Sequence, residues 1–415
     1  MKRLSILLLS LLLITSCVPS KKQEDENLLN DEEQQQEISI VPSYRLSDEN
    51  YKIILPYRPS QARGVIVGQI SNRLDINEME EGLRRHSKEV FDPEKYYFEE
   101  GQYLDKDTVY NWLGRSLTKK QLKRELKIKI DQRKEEKLTV NDEVIDRLEK
   151  ELQLGLNPPL EDLDELSEKE QKKLHEESPR YLSHILEQNY LKRTDDNTVE
   201  LVGVSIGIAM KSVYRYQTET GGPYFYKDIS KKEMLKQGKK MAQTILKRLR
   251  EKEELQNVPI MIALYREQEQ ASPVPGNFVA KTFVSKDDVE IDEWETIQEE
   301  YVLFPSKRAK DNYFDDHELM VSFGHKVSEY FPNYTGVIGE GFYIDEELQK
   351  MSIDIPLEFY GSGEVIGFTQ YTYGIAQEMF SPNYDLEIQV KSSEQLESLI
   401  YREANEEELN VHIVH

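Results

Sequence analysis

A strand, a long helix and a second strand can be read directly between residues 202 and 265, and together they dictate a layered sheet. Val202, Val204, Ile206, Ile208 and Met210 alternate with Gly203, Ser205, Gly207, Ala209 and Lys211. A period of two predicts a strand with one bulky face and one face of small residues against which another element can pack closely. After a turn at Gly221-Gly222-Pro223, Ser230 and Glu233 have the spacing of a helix capping box. They open a helix whose apolar stripe is Met234, Met241, Ala242, Ile245 and Leu249, with Gly238 on the same face. Pro259 to Tyr265 then reads as the returning strand. Strand, helix, strand is a crossover unit and implies a parallel pair inside the sheet.

The rest of the chain fits around this unit less evenly. Residues 51–57 and 64–70 read as strands separated by a turn at Pro59 and Gly64, residues 76–91 as an amphipathic helix, and Tyr96, Tyr97, Phe98, Tyr103, Tyr110 and Trp112 as a packing segment. Residues 117–174 are dense in mixed charge, broken at Gly155 to Pro159, and predict two or three solvated helices. An irregular stretch is expected from 272 to 308. Beyond it come a helix over 316–330, strands over 337–344, 351–359, 364–371 and 385–390, a short helix over 394–401 and a terminal strand over 411–414. Helices mingled with hairpin-joined strands spell an α+β fold with mixed sheets.

The first residues carry an address. Lys2 and Arg3 precede an apolar run over 4–14 that closes on Thr15-Ser16-Cys17, the order of an export signal. As a helix this run rises about 16 Å against ~30 Å of hydrocarbon, too little to span a bilayer. Ile14-Thr15-Ser16-Cys17 resembles a bacterial lipobox, which implies cleavage after Ser16 and a diacylglyceryl group on Cys17. Cys17 is the only cysteine among 415 residues, so disulfides and thiolate metal clusters are excluded. Residues 18–43 hold two basic and seven acidic residues and little to bury. They predict a disordered tether with a reach of about 30 Å. The expected organisation is a signal over 1–16, lipidated cysteine and tether over 17–44, one α+β half over 45–285 and another over 286–415.

Charge narrows the partners. There are 54 Lys and Arg against 78 Asp and Glu, and removal of Lys2 and Arg3 with the signal leaves 52 against 78, a net −26. Such a balance excludes nucleic acid as the expected partner and leaves membrane attachment to the lipid, through two acyl chains.

Candidate chemistry is sparse. Gly203-Val204-Ser205-Ile206-Gly207 matches the letters of a hydrolase nucleophile elbow, yet the alternation runs on through Met210, so Ser205 is expected in mid-strand. Gly336, Gly339 and Gly341 lack the Lys-Ser/Thr and the helix of a phosphate loop. Asp315, Asp316, His317 and His325 form the one local His–carboxylate cluster, and the Asp pair sits where a helix cap belongs. No catalytic residue, cofactor or metal site is therefore expected. Two binding candidates remain. The helix from Ser230 carries Lys231, Lys232, Lys236, Lys239, Lys240, Lys247, Arg248 and Arg250, and Lys236, Lys239 and Lys240 are the residues expected to meet an anionic envelope polymer. Tyr224, Phe225 and Tyr226, near Tyr214, Arg215 and Tyr216, are expected to stack on a glycan or peptide. A solvated helix face and aromatics folded onto the sheet are the plainer readings of both.

Four stretches carry a family resemblance: ILPYRPSQARGVIVGQISNRLDINEMEEGLRRHSKEVFDPEKYYFEEGQYL at 54–104, ISKKEMLKQGKKMAQTILKRLREKEELQNVPIMIALYRE at 229–267, PVPGNFVAKT at 273–282, and NYTGVIGEGFYIDEELQKMSIDIPLEFYGSGEVIGF at 333–368. With the lipobox start, they resemble the CamS sex-pheromone-precursor lipoproteins of Firmicutes. The resemblance implies a Gram-positive lipoprotein, held on the outer face of the cell membrane, with an extracytoplasmic α+β part in two related halves. It brings no enzymatic activity, cofactor or catalytic residue. In pheromone-yielding members the end of the signal peptide is trimmed to a short hydrophobic peptide, here SLLLITS over Ser10 to Ser16. Active peptides of the family begin Ala-Ile-Phe, from which this segment departs. The rival expectation is an envelope hydrolase, which would need Ser205, or His317 with His325, to meet complementary groups.

Overall fold

Strand β1 (Lys52–Ile53) opens the ordered chain and is followed by α1 (Val65–Gln69), α2 (Arg73–Ser87) and β2 (Tyr97–Glu100). Four helices come next: α3 (Lys106–Leu113), α4 (Lys119–Glu135), α5 (Asp142–Leu152) and α6 (Glu168–Glu177). The chain continues through β3 (Leu182–Arg193), β4 (Val199–Met210), the short pair β5 (Val213–Tyr216) and β6 (Phe225–Asp228), and α7 (Lys231–Arg250). Strands β7 (Ile260–Arg266), β8 (Asn277–Val284) and β9 (Glu295–Thr296) complete a seven-stranded sheet in the order β1-β2-β3-β4-β7-β8-β9. The second lobe holds β10 (Glu299–Phe304), α8 (Lys307–Asn312), α9 (Phe314–Ser328), β11 (Ile338–Ile344), β12 (Glu347–Pro356), α10 (Ser362–Met379), β13 (Asp385–Lys391), β14 (Leu396–Arg402) and β15 (Asn410–Ile413). Its six strands lie in sequence order. This computed structural model describes residues 50–194, 198–329, 336–358 and 361–414. Ser16, Cys17 and the tether lie outside them.

The crossover unit forms as its sequence dictates. β4 and β7 pair in parallel, Val204 against Ile260 through Met210 against Arg266, with α7 between them. Val204, Ile206, Ile208 and Met210 are fully buried in one core with Met234, Met241, Ile245 and Leu249 of α7. Each such side chain contributes ~1.5–3 kcal/mol when fully buried, so the helix is held by its stripe more than by its propensity. The small face of β4 takes α2 and the loop after it. A Cβ at Gly203 would lie 2.0 Å from the ring of Phe91, and one at Gly207 would lie 3.1 Å from Met79. Glycine at Gly203 is what lets Phe91 stack on Tyr190 at 4.5 Å.

Both sheets mix parallel and antiparallel pairs, and the fold is α+β. Several local expectations are corrected. Residues 64–70 form α1 rather than a strand: Gly64 turns the chain at φ 86°, and Val65 is then buried while Val67 is exposed, whereas a strand would set both on one face. Residues 364–371 belong to α10, where Val365, Phe368, Thr369, Thr372, Ile375 and Ala376 are buried at helical spacing. Residues 394–401 give strand β14, with Ser398, Ile400 and Arg402 buried in alternation. The stretch 272–308, expected to be irregular, contains β8, β9 and β10. The sheets change between Thr296 and Glu299, and β9 still belongs to the first.

Candidate binding surface

Helix α7 begins where Ser230 accepts a hydrogen bond from the Glu233 amide at 3.2 Å. Three of its eight cations serve the fold. Arg250, 9% exposed, donates to the carbonyls of Leu255, Val258, Ser285 and Asp288 at 2.6–3.0 Å. Arg248 donates to Leu154 O at 2.8 Å and lies over Trp112 at 5.3 Å. Lys247 pairs with Glu290 at 2.7 Å. The remaining five, Lys231, Lys232, Lys236, Lys239 and Lys240, are exposed. Lys232, Lys236, Lys239 and Lys240 follow helical spacing and share one stripe opposite the apolar one. Lys236 reaches Glu233 only at 4.0 Å, and Lys239 sits 5.4 Å from the Trp294 ring.

Strands β5 and β6 form a separate two-stranded ribbon that ends three residues before Lys231. Its inner face is a stack: Tyr214 on Tyr216 at 5.3 Å, and Tyr216 on His175 of α6 at 4.5 Å. Arg115 donates to the Tyr214 hydroxyl at 3.0 Å, which leaves the hydroxyl proton for His175 Nδ1 at 2.9 Å. Burial, then Arg115 and Arg180, push the His175 pKa down, in keeping with a neutral acceptor imidazole. Tyr224 and Tyr226 are exposed, and Arg215 lies 4.4 Å over the Tyr224 ring. Phe225 turns inward instead, half-buried against the first core with Lys172 Nζ 3.8 Å from its ring. Of the six residues singled out in the sequence, Lys236, Lys239 and Lys240 thus share one exposed face and Tyr224 and Tyr226 another. Lys231 and Lys232, at the start of α7, follow the ribbon in the chain. Lys240 lies about 14 Å along the axis from Lys231.

Ser205 is wholly buried in mid-strand, its Oγ 2.7 Å from Ser87 Oγ, and no elbow exposes it. His317 Nδ1 is 3.2 Å from Glu318, His325 is exposed, and Asp316 accepts the Tyr343 hydroxyl at 2.7 Å. Among the described residues no three His, Cys, Asp or Glu are placed to hold a metal ion.

Between the lobes lies something the sequence did not announce. Arg85 of α2 pairs with Glu78 at 2.8 Å and with Glu299 of β10 at 2.9 Å, and its guanidinium covers Phe342 at 4.5 Å. Burial pushes the Glu299 carboxyl up, but His86 at 3.0 Å and Arg85 outweigh it and hold the pKa below the ordinary value. A cleft of about 650 Å³ opens beside this joint, lined by Lys231 on one side and by Glu299, Glu300, Tyr313, Tyr343 and Glu346 on the other. Its residues lie up to 115 positions apart in the chain, beyond the reach of any local motif.

The sequence profile of the CamS sex pheromone cAM373 precursor family matches residues 57–408. The chain belongs to the CamS family. A sex pheromone precursor from Lactobacillus salivarius subsp. salivarius UCC118 has a similar structure, with a TM-score of 0.75 and 27% identity over 91% of this chain and 99% of that one. The C-terminal domain of the sex pheromone staph-cAM373 precursor from Staphylococcus aureus is similar at a TM-score of 0.67, with 33% identity over 84% of this chain and 99% of that domain. No curated protein matches the chain. In this CamS chain the lysine stripe, the aromatic ribbon and the cleft all adjoin the start of α7.

Proposed function

We propose that this CamS protein is a lipid-anchored, extracytoplasmic, non-enzymatic binding protein that engages an anionic envelope polymer through α7 and the β5–β6 ribbon. The observation that carries the anchoring is Ile14-Thr15-Ser16-Cys17 at the end of an apolar run in a pheromone-precursor chain. Diacylglyceryl transfer to Cys17, followed by cleavage after Ser16, leaves the folded part outside the membrane on its tether. The freed leader yields SLLLITS, and mass spectrometry of culture supernatant tests its release. Cys17→Ala, followed by cell fractionation, is expected to move the protein from the membrane to the medium or to leave it as an uncleaved precursor. Mature-sized protein still held in the membrane would overturn the anchor.

The lysine stripe supports the binding role because its cations stay exposed in a chain of net charge −24. Long solvated ammonium groups on one exposed face, with two exposed tyrosines on the ribbon that precedes the helix, suit a polymer carrying phosphate and sugar. Lys236→Glu, Lys239→Glu and Lys240→Glu together are expected to weaken binding to purified teichoic acid by about tenfold or more at low salt, with the difference shrinking as salt rises. Absence of binding by the wild type, or equal binding by the triple variant, would remove the surface from the proposal.

A further inference from the structure

The six-stranded sheet of the second lobe ends on β15, and this edge differs from the other edges of the two large sheets. Strands β1 and β9 are two residues long, and β10 runs beside β8 of the first lobe. Strand β15 is Asn410-Val411-His412-Ile413, with no charged side chain, no proline and no register shift against β14. Charge, proline and bulges are the devices that keep a sheet edge from taking another strand. Val414 N donates to Glu397 O at 2.8 Å, and the ladder sets His412 against Leu399 and Asn410 against Tyr401. Inward bonding alternates along an antiparallel strand, so the amides and carbonyls of Asn410 and His412 point to β14 and those of Val411 and Ile413 point outward. Among the described residues no strand lies beyond β15 to receive them. The side chains agree with this. Val411 stands across the ladder from Ile400, which is fully buried in the core with α10, yet Val411 is 49% exposed. A β-branched residue on the core face with half its surface in water is what an absent neighbouring strand leaves. The open edge begins at Val411, because the Leu409 amide donates to Gln377 Oε1 of α10 at 3.0 Å.

The symmetry of this short edge selects its occupant. It offers one outward donor and one outward acceptor on each side of His412, so its centre can lie on a two-fold axis. We propose that β15 pairs antiparallel with β15 of a second copy of this chain, with His412 facing His412 of the partner subunit across the axis. Val411 N then donates to Ile413 O of the partner subunit and Ile413 N to Val411 O of the partner subunit, and the two-fold repeats both bonds. Val411 and Ile413 of each copy also meet on the face that holds the core, so one step satisfies the backbone and covers the exposed apolar surface. A register centred on Val411 would need the Leu409 amide, which Gln377 already holds. Glu406, Glu407 and Glu408 precede the strand, and with His412 on the axis those of the two copies lie at opposite ends of the pair. The paired segment is far smaller than the ~1,200–2,000 Å² that a stable complex buries, so the dimer exchanges rapidly and is best counted by trapping it. The pairing is independent of the lysine stripe and of the lipid anchor.

Oxidative cross-linking of the full chain tests the register. Cys17→Ala removes the only cysteine, so an introduced thiol has no competitor, and copper–phenanthroline followed by non-reducing gels reads the dimer. The reaction is run in high salt, which screens the net negative charge of each copy. His412→Cys in that background is expected to give a cross-linked dimer, because non-hydrogen-bonded antiparallel mates stand ~4.5 Å apart between Cα atoms, inside the ~4.4–6.8 Å that a disulfide spans. Asn410→Cys is expected to give about tenfold less, its mate being displaced by four residues, or roughly 14 Å, along the strands. Both positions are exposed, so random collision would cross-link them alike. Val411→Pro added to the His412→Cys chain removes one outward amide and none of the inward bonds, and should cut the dimer by a similar factor of about ten. Equal yields from the two cysteine positions overturn the proposal. So does the absence of a dimer with His412→Cys, or a yield indifferent to Val411→Pro. The comparison of positions 410 and 412 decides the matter even where the proline disturbs folding.

Discussion

From β2 to β9 the first lobe pairs its neighbours antiparallel, antiparallel, parallel, antiparallel and antiparallel, and from β10 to β15 the second lobe runs the same series. In each, one long helix bridges the parallel pair: α7 between β4 and β7, α10 between β12 and β13. The series supports, as a proposal, descent of both lobes from one duplicated unit. The interiors differ. Among the described residues the first lobe buries Asp75, Glu78, Glu99, Glu187, Glu267, Arg250 and Lys281, whereas the second buries Glu299, at the joint, and Arg402. One pairing scheme therefore tolerates two ways of filling its space. The second lobe relies on apolar burial, and the first needs a dedicated partner for each buried charge, since an unpaired one is costly.

The largest effect that separates the lobes is expected from Arg250→Ala. Four carbonyls lose their shared donor, and about 3–5 kcal/mol of stability should go with it. Phe368→Ala in the second lobe, where Phe368 is fully buried, should cost a similar ~3–5 kcal/mol through a cavity instead. Trp112 and Trp294, the chain's two tryptophans, both pack on the first core. Urea unfolding followed by fluorescence therefore reports the first lobe, while circular dichroism reports both. For Arg250→Ala the fluorescence transition should come earlier than the dichroism transition, and for Phe368→Ala later. Coincident transitions in both variants would show that the joint around Arg85 welds the lobes into one cooperative unit, and the contrast between interiors would lose its energetic meaning.

A smaller effect sharpens the same contrast. Glu187 is 5% exposed and accepts three consecutive backbone amides, from Gln102, Tyr103 and Leu104. Burial pushes its pKa up, and those amides pull it back. Glu187→Gln sets an amide donor among amide donors and should cost about 2–3 kcal/mol. Chemical denaturation read by tryptophan fluorescence checks this, and a loss below about 0.5 kcal/mol, the scale of an ordinary surface change, would mean the carboxylate is not needed as an acceptor.

The parts of this molecule that were legible in the sequence are those fixed by local periodicity. The small face of β4 predicted close approach, and Phe91, Met79 and Leu83 occupy it. The capping spacing and stripe of α7, and the helices among mixed charge broken near the Pro158-Pro159 pair, needed only neighbours a few residues away. Where tertiary context decides, the reading failed. Val65-Ile66-Val67 has strand propensity and forms a helix after the left-handed turn at Gly64, with Val65 and Ile66 buried and Val67 exposed. Exposure of the lysines was legible, but the structural duties of Arg248 and Arg250 were not, since their acceptors lie up to 95 residues away in the chain. The joint is more remote still, with Tyr301 donating to Glu78 across 223 residues.

The smallest effect concerns pH and tests whether the joint belongs with the charged interior or the apolar one. Glu340, half-buried on β11, has its pKa raised to about 7, chiefly by burial and then by Glu78, against the pull of Lys350. The unfolded value is 4.5. Between these two values the folded chain holds a proton that the unfolded chain has lost, so stability from this group is full below pH 4.5 and falls as pH rises towards 7. Asp75, also raised to about 7 by burial in the first lobe against hydrogen bonds from Gly276 and Tyr265, adds a slope of the same sign. Glu340→Gln keeps the shape and removes the titration. The variant should match the wild type at pH 4.5 and exceed it by about 2 kcal/mol at pH 8, with the Asp75 slope still present in both. Urea midpoints at the two pH values measure this directly. Parallel midpoints would mean that water reaches Glu340 and ionises it without penalty, placing the face of β11 towards Glu78 on the solvated side of the comparison.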